Sequence, residues 1–358
     1  MSATSTPDAT SGAQRSGRAP APVQSVPLGA RIRSGLTHNP LLVLLVVMVA
    51  ALQVTTGTAL NWGNLRGVLL DAAVIAIVAV PGAMLVICGY IDLSVGSTLA
   101  LGGVVAGKVM ANGQGNPAVA VVLAVAVGAF VGLVNGLLST YFGLSSFIVT
   151  LGSLTAVRGV AQLLSPLPVN TFGDTFGFLG IGTIAGVPLA VWLALAALLI
   201  AGAVLTMTPV GRHVYAIGVN REAAFLSGVR VQQVPLVVFV LSGAAAAFAG
   251  VVTVARLNSA PAGQLGLGFE LQVLTAVLLG GVALTGGEGG MFGVTLGVLF
   301  LGMLRNGLTL LGVTTFWQSV ASGVALVAAI AIAKGTHSVR QRLEARAAPT
   351  PKSSGGNA

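Results

Sequence analysis

The sequence predicts an all-α polytopic membrane protein with about ten transmembrane helices, in a range of roughly 8–10. Three observations carry this prediction. Of 358 residues, 55% are hydrophobic and only 7% are charged, against roughly 25% charge in a soluble domain. Such a chain cannot cover its apolar groups in water. Apolar runs of span length recur from Leu41 to Ala333. The net charge of +9 sits mainly at the two ends and in one central stretch.

Residues 1–39 are rich in Ser, Thr, Ala, Pro and Gly and carry Arg15, Arg18, Arg31 and Arg33. They read as a disordered cytosolic tail. The arginines before Leu41 suit a signal peptide. The long polar lead and the many later spans predict an uncleaved first helix instead. Residues 40–333 form the transmembrane domain, with candidate spans at 40–58, 68–88, 94–110, 118–138, 147–164, 187–206, 234–253, 270–285, 291–312 and 316–333. The third and eighth are short and Gly-rich, which predicts partial or broken helices. Residues 334–358 form a basic tail holding Lys334, Arg340, Arg342, Arg346 and Lys352.

An even span count puts both termini on one side. That side then holds both basic tails, the turns at 89–93, 139–146 and 286–290, and a loop at 207–233. The opposite segment, 165–187, has Asp174 and no Lys or Arg. The positive-inside bias makes the first set cytosolic in a multi-pass membrane protein. A weak repeat supports two halves. Asn135-Gly136 followed by a Gly143 to Phe147 string matches Asn306-Gly307 followed by a Gly312 to Phe316 string. The copies lie on the fourth and ninth spans, and an odd offset implies inverted orientation.

The composition excludes several classes. Cys88 is the single cysteine, so no intrachain disulfide forms. His38, His213 and His337 show no metal-ligand spacing. Charge is not concentrated with aromatics on one face, so nucleic acid is not a partner. No phosphate-binding glycine loop and no nucleophile–base constellation occur, so the chain is not itself an enzyme.

Residues 207–234 are the one long charged interruption of the apolar region, with Arg212, Arg221, Glu222 and Arg230. Asn220 suits a helix N-cap, Glu222 the first turn and Gly228 the C′ stop. About two turns of helix result, marginal alone in water. Its apolar surface, Ala223, Ala224, Phe225 and Leu226, is better docked than exposed, and Ala224 would let a partner approach the backbone closely. A plain surface loop is the alternative. Residues 88–103 read CGYIDLSVGSTLALGG, in which Asp92 and Ser94 suit capping of the next helix.

Charges in or near the spans are Arg66, Asp71, Lys108, Arg158, Arg256, Glu270 and Arg305. Arg66 and Lys108 lie near span ends and can snorkel. Glu270 suits a cap of the eighth span. Arg158 and Arg305 lie deeper, where a pathway role competes with pairing. Asn135, Thr150, Gln162, Gln272, Asn306 and Gln318 are pathway candidates for a neutral solute, and such residues also tie helices together.

These strings resemble a known family. GRHVYAIGVNREAAFLSGV is similar to the coupling segment of ribose, galactose and xylose-type permeases of bacterial ABC importers. The string with Gly89, Asp92, Leu93, Ser94 and Gly96 resembles their signature, and residues 143–154 and 271–313 look like further family segments. The resemblance covers roughly residues 65–333. Glu288 departs from it, since family members often carry a basic residue in that turn. The resemblance implies a permease for a monosaccharide or similar small polar solute. It implies ATPase coupling through Gly211, Arg212, Tyr215, Gly218, Asn220, Glu222, Ala223, Ala224, Ser227 and Gly228. It also implies a second permease copy in a homodimer, a cytosolic ABC ATPase and a periplasmic or lipid-anchored solute-binding protein. ATP and Mg then sit on the ATPase, this chain binds no cofactor, and membrane lipid surrounds it. The alternative is an ion-gradient-driven secondary transporter with Asp71 as its titratable site.

Overall fold

The structure, a computed structural model, describes residues 40–113, 115–314, 316–325 and 327–328. The tails expected over 1–39 and 334–358, and the far end of the span expected over 316–333, lie outside the described residues.

The helices run in order α1 (Pro40–Thr56), α2 (Trp62–Ile87), α3 (Val95–Val109), α4 (Pro117–Thr140), α5 (Ser146–Leu164) and α6 (Asp174–Ile181). Then come α7 (Leu189–Met207), α8 (Pro209–Val219), α9 (Arg221–Leu226), α10 (Gln233–Leu257), α11 (Phe269–Leu279) and α12 (Met291–Leu310). Residues 316–325 are helical as well. Among the described residues, four two-residue strands form two antiparallel pairs. β1 (Val169–Asn170) pairs with β4 (Ser259–Ala260), Val169 opposite Ala260. β2 (Thr183–Ile184) pairs with β3 (Val187–Pro188), Ile184 opposite Val187.

Among the described residues, α2, α4, α5, α7, α10 and α12 are long and apolar enough to cross a membrane. The chain is therefore an all-α polytopic membrane protein. Each of the first nine expected spans holds one helix, and α3 and α11 are short, at 15 and 11 residues. Boundaries move where local chemistry was stronger than hydropathy. α2 starts at Trp62 because the Asn61 side chain accepts from the Gly63 N–H at 3.1 Å. α11 stops at Leu279 because Gly280 and Gly281 follow, the latter at φ +85°.

The core sits on α2 and α10. The apolar window of α2 is 83% buried and that of α10 is 61% buried, against 11% for α5, so α5 is an outer helix. α10 carries a face of small residues that lets backbones meet, as between membrane helices generally. A Cβ on Gly243 would stand 2.1 Å from the Gly128 carbonyl oxygen of α4. One on Gly250 would stand 2.0 Å from the Leu99 carbonyl oxygen of α3.

The bundle has two distinct ends. At one, the Gly287 N–H donates to the Ile87 carbonyl at 2.8 Å, the Ile91 N–H to Ser146 Oγ at 3.2 Å and Arg221 to the Thr140 carbonyl at 3.3 Å. The turns at 89–93, 139–146, 207–233 and 286–290 therefore gather there, as the alternation of spans predicts. At the other end, Arg66 donates to the Ile181 carbonyl at 3.0 Å and the Phe172 N–H to Asn258 Oδ1 at 2.9 Å. Asn135 belongs to the first end, whereas Asn306 pairs with Asn64 near the start of α2, at the second. The two copies of the weak repeat thus lie at opposite ends.

Candidate functional site

Residues 207–234 fold as two helices where the sequence predicted one. The unforeseen α8 begins with Thr208, whose Oγ1 accepts from the Gly211 N–H at 3.3 Å, followed by Pro209 at a first-turn position. That Thr-Pro pair is the signal that could have found it. Gly211, Val214 and Ile217 recur at three-residue spacing on its buried face. A Cβ on Gly218 would stand 1.8 Å from the Ile87 carbonyl oxygen, so only glycine lets α8 lie on the end of α2. The Tyr215 hydroxyl donates to the Gly289 carbonyl at 2.8 Å, and burial pushes its pKa up, keeping it a donor. Arg212 is exposed.

The second helix, α9, follows the predicted caps. Asn220 Oδ1 accepts from the Ala223 N–H at 2.9 Å, and Glu222 stands in the first turn. The Ser227 hydroxyl donates to the Ala223 carbonyl at 2.9 Å, and Gly228 adopts φ +80°. One expectation is corrected. Ala224 does not face outward to admit a partner; it is 5% exposed and packs on the chain's own bundle. Its small side chain is what lets a six-residue helix rest there. Ala223 is exposed, while Phe225 and Leu226 point outward at 65% and 80% exposure. Arg221, which the sequence marked only as one of the charges of this stretch, donates to the end of α4 and stands 6.0 Å from the Tyr90 ring centroid.

The 88–103 segment is pinned by Asp92. Its Oδ1 accepts from the Ser94 N–H at 2.9 Å and the Ser94 hydroxyl at 2.6 Å, and its Oδ2 from Ser242 of α10 at 2.8 Å. Ser94 makes no side-chain cap bond, contrary to expectation; its Oγ accepts from Asn135 Nδ2 of α4 at 2.9 Å. Asp92 closes a local turn and accepts from the Ser94 hydroxyl, which leaves the Ser94 oxygen to accept from Asn135 across to α4. Leu93 is buried and Gly89 takes φ +83°. A Cβ on Gly96 would stand 2.1 Å from Glu270 Oε2, so the glycine admits that carboxylate. Thr150 Oγ1 donates to the Ser146 carbonyl of its own helix at 2.7 Å and lies 3.4 Å from the Ile91 carbonyl, so Asn135 and Thr150 both reach the 88–103 segment. Gln162 lies exposed on α5.

The other three pathway candidates converge. Gln272, Asn306 and Gln318 line a cavity of about 650 Å³ among α2, α10, α11 and α12, within the range usual for small-molecule sites. Arg305 donates to Gln272 Oε1 at 2.5 Å. Asn64 and Asn306 exchange two bonds at 3.0 and 2.7 Å, and Gln318 donates to Thr309 at 3.1 Å. Asp71 pairs with Arg256 on the same wall at 2.5 Å. These side chains satisfy one another and can exchange those bonds for solute hydroxyls. Arg158 is outside this set. It donates to the Leu265 and Gly266 carbonyls and holds the turn between α10 and α11.

Comparison with known proteins places the chain among permeases. Residues 64–330 match the model of the family described as the permease component of branched-chain amino acid transport systems. The chain is 38% identical over 305 residues to a ribose import permease protein of Escherichia coli, covering 84% of this chain and 94% of that protein. It is 35% identical over 275 residues to the D-allose transport system permease protein of Escherichia coli, covering 76% and 84%. It is 35% identical over 310 residues to an L-arabinose ABC transporter permease protein of Azospirillum brasilense, covering 84% and 90%. No solved structure matches the chain significantly.

Proposed function

The chain belongs to the permease-component family of branched-chain amino acid transport systems, and from that premise we propose that it conducts a monosaccharide or similar small polar solute in an ABC importer. The names of its relatives support the solute class: ribose, D-allose and L-arabinose. The cavity suits it too, since the amides of Gln272, Asn306, Asn64 and Gln318 offer neutral donors and acceptors.

ATP is hydrolysed on a separate ABC ATPase, with its ATP and Mg, and this chain binds no cofactor. The observation that carries this is α9. It is capped, rests on the bundle through Ala224, and holds Phe225 and Leu226 out to solvent at 65% and 80% exposure. Apolar side chains so presented at a turn-rich end suit a docking partner. The α8–α9 end then faces the cytosol with both termini, in a bacterial inner membrane. A second copy of the chain completes the permease, and a periplasmic or lipid-anchored binding protein delivers solute at the other end. The ion-gradient reading needs a free titratable site, and the pairing of Asp71 with Arg256 counts against it.

The test of the solute class is uptake by proteoliposomes holding the chain with its ATPase and binding protein. Pentoses and hexoses compete for uptake on this reading. Transport of branched-chain amino acids with no competition from monosaccharides overturns it.

A further inference from the structure

A second cavity differs in kind from the first. It is an apolar groove of about 1010 Å³ running between α2, α7 and α10 towards α8. Pro81, Met84, Ala197, Val204, Val237 and Phe248 are among its walls. It opens to the hydrocarbon side, since Ile200 is 64% and Val237 56% exposed on helices long enough to cross a membrane. A sugar finds no partners along such walls; a hydrocarbon chain does.

The chemistry changes at one end, where the groove meets His213, Arg230 and Gln233 beside Gly228. Arg230 is exposed and donates to Gln233 Oε1 at 3.3 Å. Among the described residues, no carboxylate pairs with it. The 25-residue α10 starts at the same place, with no side-chain cap bond on its N-terminus. Its dipole adds positive potential where Arg230 and His213 already offer N–H donors.

A long apolar slot ended by a cation and a helix N-terminus complements one molecule, an amphiphile with a phosphate head. We propose that this groove binds one anionic phospholipid, an acyl chain lying along α7 and α10 and its phosphate held by Arg230, His213 and the start of α10. Arg230 can grip two phosphate oxygens at once. Basic pockets between spanning helices take anionic headgroups in this way. The headgroup then abuts Gly228, the residue that ends α9. Lipid and the proposed ATPase contact thus meet at one turn, so the annular lipid composition bears on coupling.

Native mass spectrometry of the full chain, purified and equilibrated with equal amounts of phosphatidylglycerol and phosphatidylcholine of matched acyl chains, tests this. The wild type is expected to retain one phosphatidylglycerol per chain in preference to phosphatidylcholine. Arg230→Gln is expected to lower that preference about fivefold, the contribution of one cation near the membrane surface. Ala197→Phe fills the slot and leaves Arg230 in place, so it is expected to lower retention of both lipids. Equal retention of the two lipids by the wild type overturns the proposal. So does an unchanged preference in Arg230→Gln, unchanged retention in Ala197→Phe, or a groove covered by a co-purifying protein with no lipid bound.

Discussion

Asp71 on α2 and Arg256 near the end of α10 meet at 2.5 Å on the wall of the polar cavity, 185 residues apart in the chain. The Asp71 side chain is 60% exposed, so the pair is solvated and not a buried lock. Pairs of that kind contribute about 0.2–1 kcal/mol. Asp71→Asn keeps an oxygen that accepts from Arg256. We expect normal membrane level and uptake within severalfold of wild type. Abolished uptake at normal expression points to a charge-carrying role for Asp71 and to the ion-gradient reading.

Gly218 tests the seating of α8. Its Cβ position lies 1.8 Å from the Ile87 carbonyl oxygen and 2.4 Å from the Gly287 nitrogen, both backbone. Backbone cannot swing aside as a side chain does, so Gly218→Ala is expected to cost about 1–3 kcal/mol, the usual range for overpacking. Thermal unfolding in detergent reads it. Gly228→Val meets open space but forces a β-branched residue to φ +80°, and should lower the midpoint as well. Midpoints equal to wild type for both variants contradict this packing.

Ala224 and its neighbours separate folding from docking. Ala224→Glu drives a charge into a contact only 5% exposed, costing several kcal/mol unless α9 lifts off. We expect a lower unfolding midpoint. Phe225→Ala with Leu226→Ala removes outward side chains and should leave that midpoint unchanged. Recovery of the ATPase subunit with the purified chain should fall tenfold or more, as for apolar anchors at an interface. Full ATPase recovery with the double variant means that another surface carries the contact.

Much of this was legible in local sequence. Asn220, Glu222 and Gly228 mark α9 because capping acts within a few residues, and hydropathy alone places the spans. What was hidden depends on residues far apart. Asn64 meets Asn306 across 242 positions, and no periodicity announces that partnership. The same holds for Arg221 against Tyr90, and for Ser242 reaching Asp92 across 150 positions. The inward turn of Ala224 was misread because Ala223, Ala224, Phe225 and Leu226 form one apolar run, in which a helix of six residues gives periodicity little to work with. Gln162 was read as a pathway residue by its chemistry, and its exposed place on α5 is a tertiary fact.

Orientation has its own test. Basic tails and the Asp174-bearing 165–187 segment predict both termini on the cytosolic side. Reporter fusions after Arg346 and within 165–187 should report opposite compartments. A C-terminal fusion active outside the cell contradicts the topology.

The most direct measurement of the whole account is solute accumulation in proteoliposomes containing the chain, its ATPase and its binding protein, energised either by ATP or by an ion gradient alone. On the proposed reading the fuel acts from a partner through the α8–α9 end, in keeping with a sequence that carries no phosphate-binding glycine loop. Accumulation is predicted with ATP and binding protein present, and none with the gradient alone. Accumulation driven by the gradient without ATP contradicts it.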